Sequence, residues 1–180
     1  MSPVTYESLR ALRPDFGGEE TLSVRGVVRR FCETPEDPVN MNPDYQRGSV
    51  WTDDQCAKFL GFIAEGGTAP PIFVQRYPGY GKPDELLDGL QRISAVLRFY
   101  RNEVPLETTD GERMYLRDFT PEDQKILCGN AGPCLTIKYV KYEKRADILR
   151  FYIRLNRGGT VHSDAEIDRV KALLSAEDSP

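Results

Sequence analysis

One segment constrains this chain more than any other: an apolar run that passes through Asp-Gly into a helical stripe. Glu85-Leu86-Leu87 has the composition of a short buried strand. Leu90, Ile93, Val96, Leu97 and Tyr100 then recur at helical spacing. Only Asp88-Gly89 separates the two patterns, so the spacing predicts a strand that turns through one glycine into a helix. Such a junction presents unpaired backbone N–H groups and the positive end of a helix dipole, which together form an anion site. Gly89 permits close backbone approach. Arg92, in the first turn, offers a planar fork to a phosphate. Gln91 adds a neutral donor and acceptor, and Asp88 could hold a divalent cation or orient water. The same pentapeptide also fits a plain helix cap, because Asp88 and Gln91 stand at N-cap and N3 spacing.

The surrounding pattern predicts an α+β domain. Ser23–Phe31 reads as a helix, with Val24, Val27, Val28 and Phe31 inward. Pro38–Asn42 reads as extended, leading into an Asn-Pro-Asp turn. Thr52 and Gln55 form a capping box before a helix that places Cys56, Phe59, Leu60 and Ile63 on one face and ends near Gly66-Gly67. Pro71–Arg76 is a predicted strand, followed by the Gly/Pro-rich loop Tyr77–Pro83. Met114–Phe119 reads as a short strand or loop, and Thr120-Pro121 opens a helix to Leu127. Leu135–Val140 alternates as a half-buried strand. Lys144–Asn156 is a helix that breaks at Gly158-Gly159, and Ser163–Glu166 is a second capping box for a final helix. Asp15–Glu20, Glu33–Asp37 and Ala176–Pro180 read as solvated loops or a frayed end. Few strands among many helices imply a small mixed sheet surrounded by helices.

Composition narrows the functional classes. At 180 residues with 39% hydrophobic content, the chain suits one globular domain. Acidic residues outnumber basic ones, 28 to 24, for a net charge of −4. That balance argues against coating nucleic acid or membrane by bulk charge, and it leaves room for a local basic groove. Of the 24 bases, 17 are Arg, the side chain suited to bidentate phosphate contacts. No apolar run approaches membrane-spanning length, and Met1–Arg13 lacks a signal-peptide layout. A cytoplasmic protein with no membrane partner is the expectation. Cys32, Cys56, Cys128 and Cys134 form no CxxC pair. With His162 the only histidine, a structural zinc, a Ser-His-Asp triad and a disulfide scaffold are all disfavoured.

Two further segments could carry chemistry. Asp44-Tyr45-Gln46-Arg47-Gly48 with Trp51 places aromatics, an amide and a guanidinium in a loop before a capped helix, a mixture suited to a nucleotide. Core packing of Trp51 and a solvated Arg47 fit the same residues. Arg154-Leu155-Asn156-Arg157-Gly158-Gly159-Thr160, followed by His162, is a ligand-loop candidate. It fits equally a glycine-terminated helix with a basic last turn. No Walker-type or GxGxxG loop occurs, so nucleotide chemistry would need a different kind of site.

In order and spacing, these three segments resemble the N-terminal domain family of GmrSD-type modification-dependent restriction systems, of the ParB/sulfiredoxin-like superfamily. The match is Tyr45-Gln46-Arg47-Gly48 with Trp51, then Asp88-Gly89-Leu90-Gln91-Arg92, then Arg154-Leu155-Asn156 with Gly158-Gly159. The resemblance implies a ParB/sulfiredoxin-like fold with a nucleoside triphosphate pocket, coupled to sensing or attacking foreign or modified DNA such as that of phage. It divides the chain into an N-terminal extension (1–21), one domain (22–175) and a tail (176–180). It implies Asp88, Gln91 and Arg92 as the catalytic phosphate end, with Asp88 on Mg²⁺. Tyr45, Gln46, Arg47, Trp51, Gly89, Arg154, Asn156, Gly158, Gly159 and His162 would line the nucleotide. ATP, GTP or another NTP is the implied ligand, with hydrolysis, phosphoryl transfer to a hydroxyl, or non-catalytic sensing as the possible outcomes. Leu90 departs from the family's usual glutamine; it matters if it points into the pocket and little if it packs on the core. The companion HNH-type nuclease domain is not part of this sequence, so DNA cutting would fall to a separate partner protein.

Overall fold

The structure is a computed structural model and describes residues 15–46, 48, 51–78, 81–157 and 164–177. The chain begins with strand β1 (Asp15–Ser23) and helix α1 (Val24–Cys32), then β2 (Val39–Asn40) and α2 (Asp53–Ala64). β3 (Ile72–Gln75), β4 (Asp84–Asp88) and α3 (Leu90–Tyr100) follow. A small hairpin, β5 (Leu106–Glu107) and β6 (Arg113–Met114), precedes a 3-10 turn at Leu116–Asp118 and helix α4 (Pro121–Cys128). β7 (Cys134–Lys141), α5 (Arg145–Arg157) and α6 (Asp164–Glu177) complete the fold.

Five strands form one mixed sheet in the order β1-β7-β3-β4-β2. β1 pairs antiparallel with β7, β7 parallel with β3, β3 antiparallel with β4, and β4 parallel with β2. Both faces are covered, and side-chain alternation shows it. Ile72, Val74, Leu86, Leu135 and Ile137 join the core under α1, α2 and α3. Their neighbours Phe73, Leu87 and Val140 face the other way, into the cluster of Leu149, Tyr152 and Val170 from α5 and α6. The sheet therefore lies between two helical layers, the α+β arrangement expected.

The predicted caps Thr52 and Thr120 stand where α2 and α4 begin, and Ser23, expected as the first helical residue, is instead the N-cap of α1. Ser23 accepts from Gly26 N–H, Thr52 forms both halves of its capping box with Gln55, and Thr120 accepts from Asp123 N–H before Pro121. The end of α2 is a Schellman motif. Gly66 has φ +94°, and Gly67 N–H donates to the Phe62 carbonyl at 2.8 Å. Replacing Thr52 with Ala removes one capping acceptor and should cost about 1 kcal/mol in urea denaturation. An unchanged midpoint would show that the cap does not set where α2 begins.

One reading is corrected. Asp15–Glu20 is not a solvated loop but most of an edge strand. The β7 ladder supplies its hydrogen bonds, and a bulge between Phe16 and Gly18 absorbs its two glycines. The expected extension 1–21 thus contributes residues 15–21 to the sheet. The β5–β6 hairpin was not foreseen, since two-residue strands have no readable period. The break at Gly158-Gly159 and the cap residue Ser163 lie outside the described residues. Ala176 and Glu177, expected in the tail, end α6.

β4 is pinned at its start, which fixes where its far end points. Asp84, 4% exposed, pairs with Arg30 of α1 at 2.9 Å. Glu85 accepts from the Tyr45 hydroxyl at 2.9 Å and pairs with Lys82 at 3.1 Å. Two buried carboxylates with good partners avoid the penalty of unpaired charge. Asp88 and the start of α3 are thereby held against a rigid strand.

Candidate nucleotide site

The junction read from sequence is present. β4 ends at Asp88, Gly89 is the N-cap of α3 with φ +106°, and α3 starts at Leu90. The capping alternative is corrected. Gly89 has no side chain to cap with, and Asp88 stands one residue outside the N-cap. The N–H groups of Leu90, Gln91 and Arg92 therefore have no intrahelical acceptor, and the positive end of α3 is uncapped.

A cavity of about 310 Å³ opens over this helix start. Asp88, Gly89, Leu90, Gln91 and Arg92 form its floor. Trp51, Phe59 and Phe62 supply an aromatic wall. Tyr152, Leu155 and Asn156 of α5 close another side, with Gln46, Ala69, Pro70 and Leu87 filling the gaps. The volume is at the low end for small-molecule sites, and the mixture of aromatic walls with a few polar groups is typical of them.

The polar groups are organised by contacts among themselves. Arg92, whose side chain is 11% exposed, pairs with Asp88 at 2.5 Å and donates to the Pro70 carbonyl. It thus ties the loop before β3 to the start of α3. Gln91 accepts from Trp51 N–H at 3.0 Å and donates to the Gly48 carbonyl at 3.4 Å. That double contact fastens the segment before α2 to the cavity floor and positions Trp51, whose ring meets Phe59 edge-on at 5.3 Å. Gln46 lines the cavity, and its Oε1 is buried without a hydrogen-bond partner among the described residues. Buried acceptors of this kind are costly when left unmade, so Gln46 is a ready acceptor for a ligand N–H or O–H.

Removing the Gln91 ties should free Trp51. For Gln91→Ala we expect a stability loss of about 1 kcal/mol and a red shift in the emission of this sole tryptophan. Unshifted emission would mean that Gln91 does not position the wall.

Several expected site residues lie elsewhere. Tyr45 is fully buried, packs edge-on to Tyr152 at 5.1 Å, and offers no face for a base. Burial and the neighbouring Glu85 carboxylate push its hydroxyl far above the usual phenol range. Arg154 is exposed, with its guanidinium 5.9 Å from the Phe151 ring, and is not on the cavity wall. The cause is helical period: Tyr152, Leu155 and Asn156 share the cavity face of α5, so a residue two positions from 152 and 156 points away. Asn156 is on the wall, 8% exposed, with its Nδ2 donating to the Tyr152 carbonyl at 2.8 Å. Arg47, Gly158, Gly159 and His162 lie outside the described residues. Leu90 is 5% exposed and belongs to the main core, while its edge contributes to the cavity floor.

Mg²⁺ held by the described residues alone does not fit. Among the described residues no group of three His, Cys, Asp or Glu side chains could hold a metal ion. Asp88 is the one carboxylate on the described wall, and Arg92 already occupies it.

Phe62, Pro70 and Tyr152 are wall residues that sequence reasoning did not assign to the site. Phe62 had a signal: it falls off the apolar stripe of α2 and is 52% exposed, an aromatic without a core role. Gly67 makes room for it, since a Cβ there would come within 2.4 Å of the Phe62 ring.

No curated protein matches the chain. Among solved structures it is similar to the C-terminally truncated chromosome-partitioning protein ParB from Caulobacter crescentus, complexed with CTP-gamma-S. The identity is 16%, the TM-score 0.42, and the match covers 88% of this chain and 63% of that one. No helix among the described residues is long and apolar enough to cross a membrane. The family described as GmrSD restriction endonuclease, N-terminal domain, matches residues 31–174, a span that holds all three motifs. The chain therefore belongs to the GmrSD restriction endonuclease N-terminal domain family.

Proposed function

We propose that the cavity at the β4–α3 junction binds a nucleoside triphosphate, and that the domain couples this binding to the handling of foreign or modified DNA in a restriction pathway. The observation that carries the reading is the pairing of an uncapped helix N-terminus with an aromatic wall in one cavity. The backbone N–H groups of residues 90–92 suit phosphate oxygens, and Trp51, Phe59 and Phe62 suit a base or sugar face. Mg²⁺ would enter with the nucleotide, whose phosphates supply ligands beyond those among the described residues. In this reading residues 22–175 are the working domain, and residues 15–21 complete its edge strand β1.

The three side chains expected to do chemistry are engaged: Arg92 with Asp88, and Gln91 with the 48–51 segment. That favours a second reading, in which the domain senses a nucleotide and signals to a separate nuclease without turning it over. Water as acceptor would make the first reading an NTPase, and a hydroxyl would make it a kinase. Titrating ATP, GTP, CTP and UTP with Mg²⁺, with and without DNA, while following Trp51 emission and phosphate release, decides between them. Binding with release supports hydrolysis, and binding with transfer to an added hydroxyl compound supports a kinase. Binding alone supports the sensor. Failure of all four nucleotides to bind removes the proposal.

A further inference from the structure

A second, wider concavity lies away from the nucleotide cavity and shares none of its lining residues. Its volume is about 710 Å³, and it opens between the start of α1, the end of α3 and one face of α4. That size falls within the range of small-molecule sites. Pro121, Gln124, Lys125 and Cys128 recur at helical spacing, so one face of α4 forms a wall. No residue of α4 is fully buried, which leaves that face open. Leu116, Pro121 and Cys128 give the concavity an apolar part. Arg25, Arg117 and Lys125 give it charge, and among the described residues no Asp or Glu lines it.

These cations lack the partners that others have. Arg30 pairs with Asp84, Arg92 with Asp88 and Arg98 with Asp53. Among the described residues neither Arg117 nor Lys125 has a carboxylate partner. Arg25 has only Glu33 at 3.6 Å, in an exposed pair of the kind worth little in water. Like charges gathered without an acid repel one another, and a bound anion offsets that cost. The surrounding contacts decide which atoms remain available. The Tyr100 hydroxyl accepts from Arg25, which leaves its O–H to donate. Asn102 Oδ1 accepts from the Arg117 backbone N–H at 2.7 Å, which leaves Nδ2 to donate. The Arg117 guanidinium is steadied over the Tyr115 ring at 4.5 Å. Gln124 Nε2 donates to the Phe119 carbonyl at 2.9 Å, which leaves Oε1 to accept from a ligand hydroxyl. Cations and neutral donors beside an apolar part suit the negative oxygens and the carbon body of one molecule.

We propose that this concavity is a separate ligand site for a small organic anion, a phosphate ester or a polycarboxylate, held by Arg25, Arg117 and Lys125 with Tyr100 and Asn102 as neutral donors. The assignment does not rest on the nucleotide reading. The two ligand sources share one chemistry: anionic oxygens on a body with an apolar face.

The test is titration of the whole ¹⁵N-labelled chain, followed by amide NMR, with phenyl phosphate, phthalate and phenol. A pH of about 8 makes the phosphate a dianion, and sodium chloride at matched ionic strength is the control. Phenyl phosphate or phthalate should shift the amides of residues 100–102, 116–117 and 124–128 in a saturable way, with Kd on the order of 1 mM or tighter. Phenol and salt should not. Tighter phenyl phosphate identifies the phosphate ester, and tighter phthalate the polycarboxylate. Arg117→Ala with Lys125→Ala should weaken binding at least ~10-fold. Both positions are exposed, so thermal unfolding should be unchanged. Tyr100→Phe keeps every charge, removes one donor, and should weaken binding a few-fold. The proposal is overturned if neither anion shifts these amides beyond the salt control, or if phenol shifts them equally. It is also overturned if shifts appear only at residues 88–92, or if the double variant or Tyr100→Phe binds like the parent chain. A labelled 20-base-pair duplex that binds these residues more tightly than either small anion would assign the surface to nucleic acid and overturn it as well.

Discussion

A Gly89→Ala chain should unfold about 3 kcal/mol more easily than the parent and lose nucleotide binding. Two independent costs meet at this position. The backbone sits at φ +106°, where an L side chain is strained by roughly 1–3 kcal/mol. A Cβ would also lie 2.6 Å from Ile72 Cγ1 and 3.1 Å from Ile72 Cβ. Ile72 is fully buried on β3, between β7 and β4, and cannot retreat without disturbing the sheet. Overpacking of that sort costs roughly 1–3 kcal/mol more. The strain cannot be relieved by rotating the junction, because both pinned carboxylates of β4 hold the strand that feeds it. Gly81→Ala is the control: a Cβ there meets nothing within 4 Å, so its midpoint should not move. A Gly89→Ala protein as stable as the Gly81→Ala one would refute the claim that the junction needs glycine.

That glycine also shows which parts of the molecule were legible in advance. Interactions that close within a few residues were readable: Thr52 and Thr120 cap their helices, and Asp88-Gly89 turns strand into helix, all from local spacing. Interactions that close across the chain were not. β1 is acidic and contains Gly17-Gly18, so nothing local favours a strand; the partner that makes it one, β7, is more than 110 residues away. Tyr45 and Arg154 show the same limit at the site. Each stands within one or two positions of a true wall residue, Gln46 or Leu155, and motif proximity alone cannot tell the cavity face from the core or the solvent. Asp88 and Arg92 were legible as residues and not as a pair. Their i, i+4 spacing permits an ion pair, but only the loop carrying Pro70 fixes Arg92 on it.

That pair makes the strongest prediction about binding. If phosphate displaces Asp88 from Arg92, then Arg92→Ala removes a charge-assisted contact and weakens nucleotide binding by about 1.5–3 kcal/mol, roughly 10- to 150-fold in Kd. Arg92→Lys keeps the charge without the fork and should recover only part of the loss. Asp88→Asn should do the opposite. It keeps the shape, loses the competing negative charge, and tightens binding a few-fold, with or without Mg²⁺. A carboxylate that ligates the metal would behave differently: Asp88→Asn would then weaken binding, and only when Mg²⁺ is present. The double variant separates direct from indirect effects. If Asp88 acts solely by occupying Arg92, replacing it in the Arg92→Ala background can recover no phosphate contact. Any tightening that remains must come from removing its negative charge beside the phosphates. A full few-fold gain in that background would show that Asp88 repels phosphate directly and that Arg92 never needed releasing.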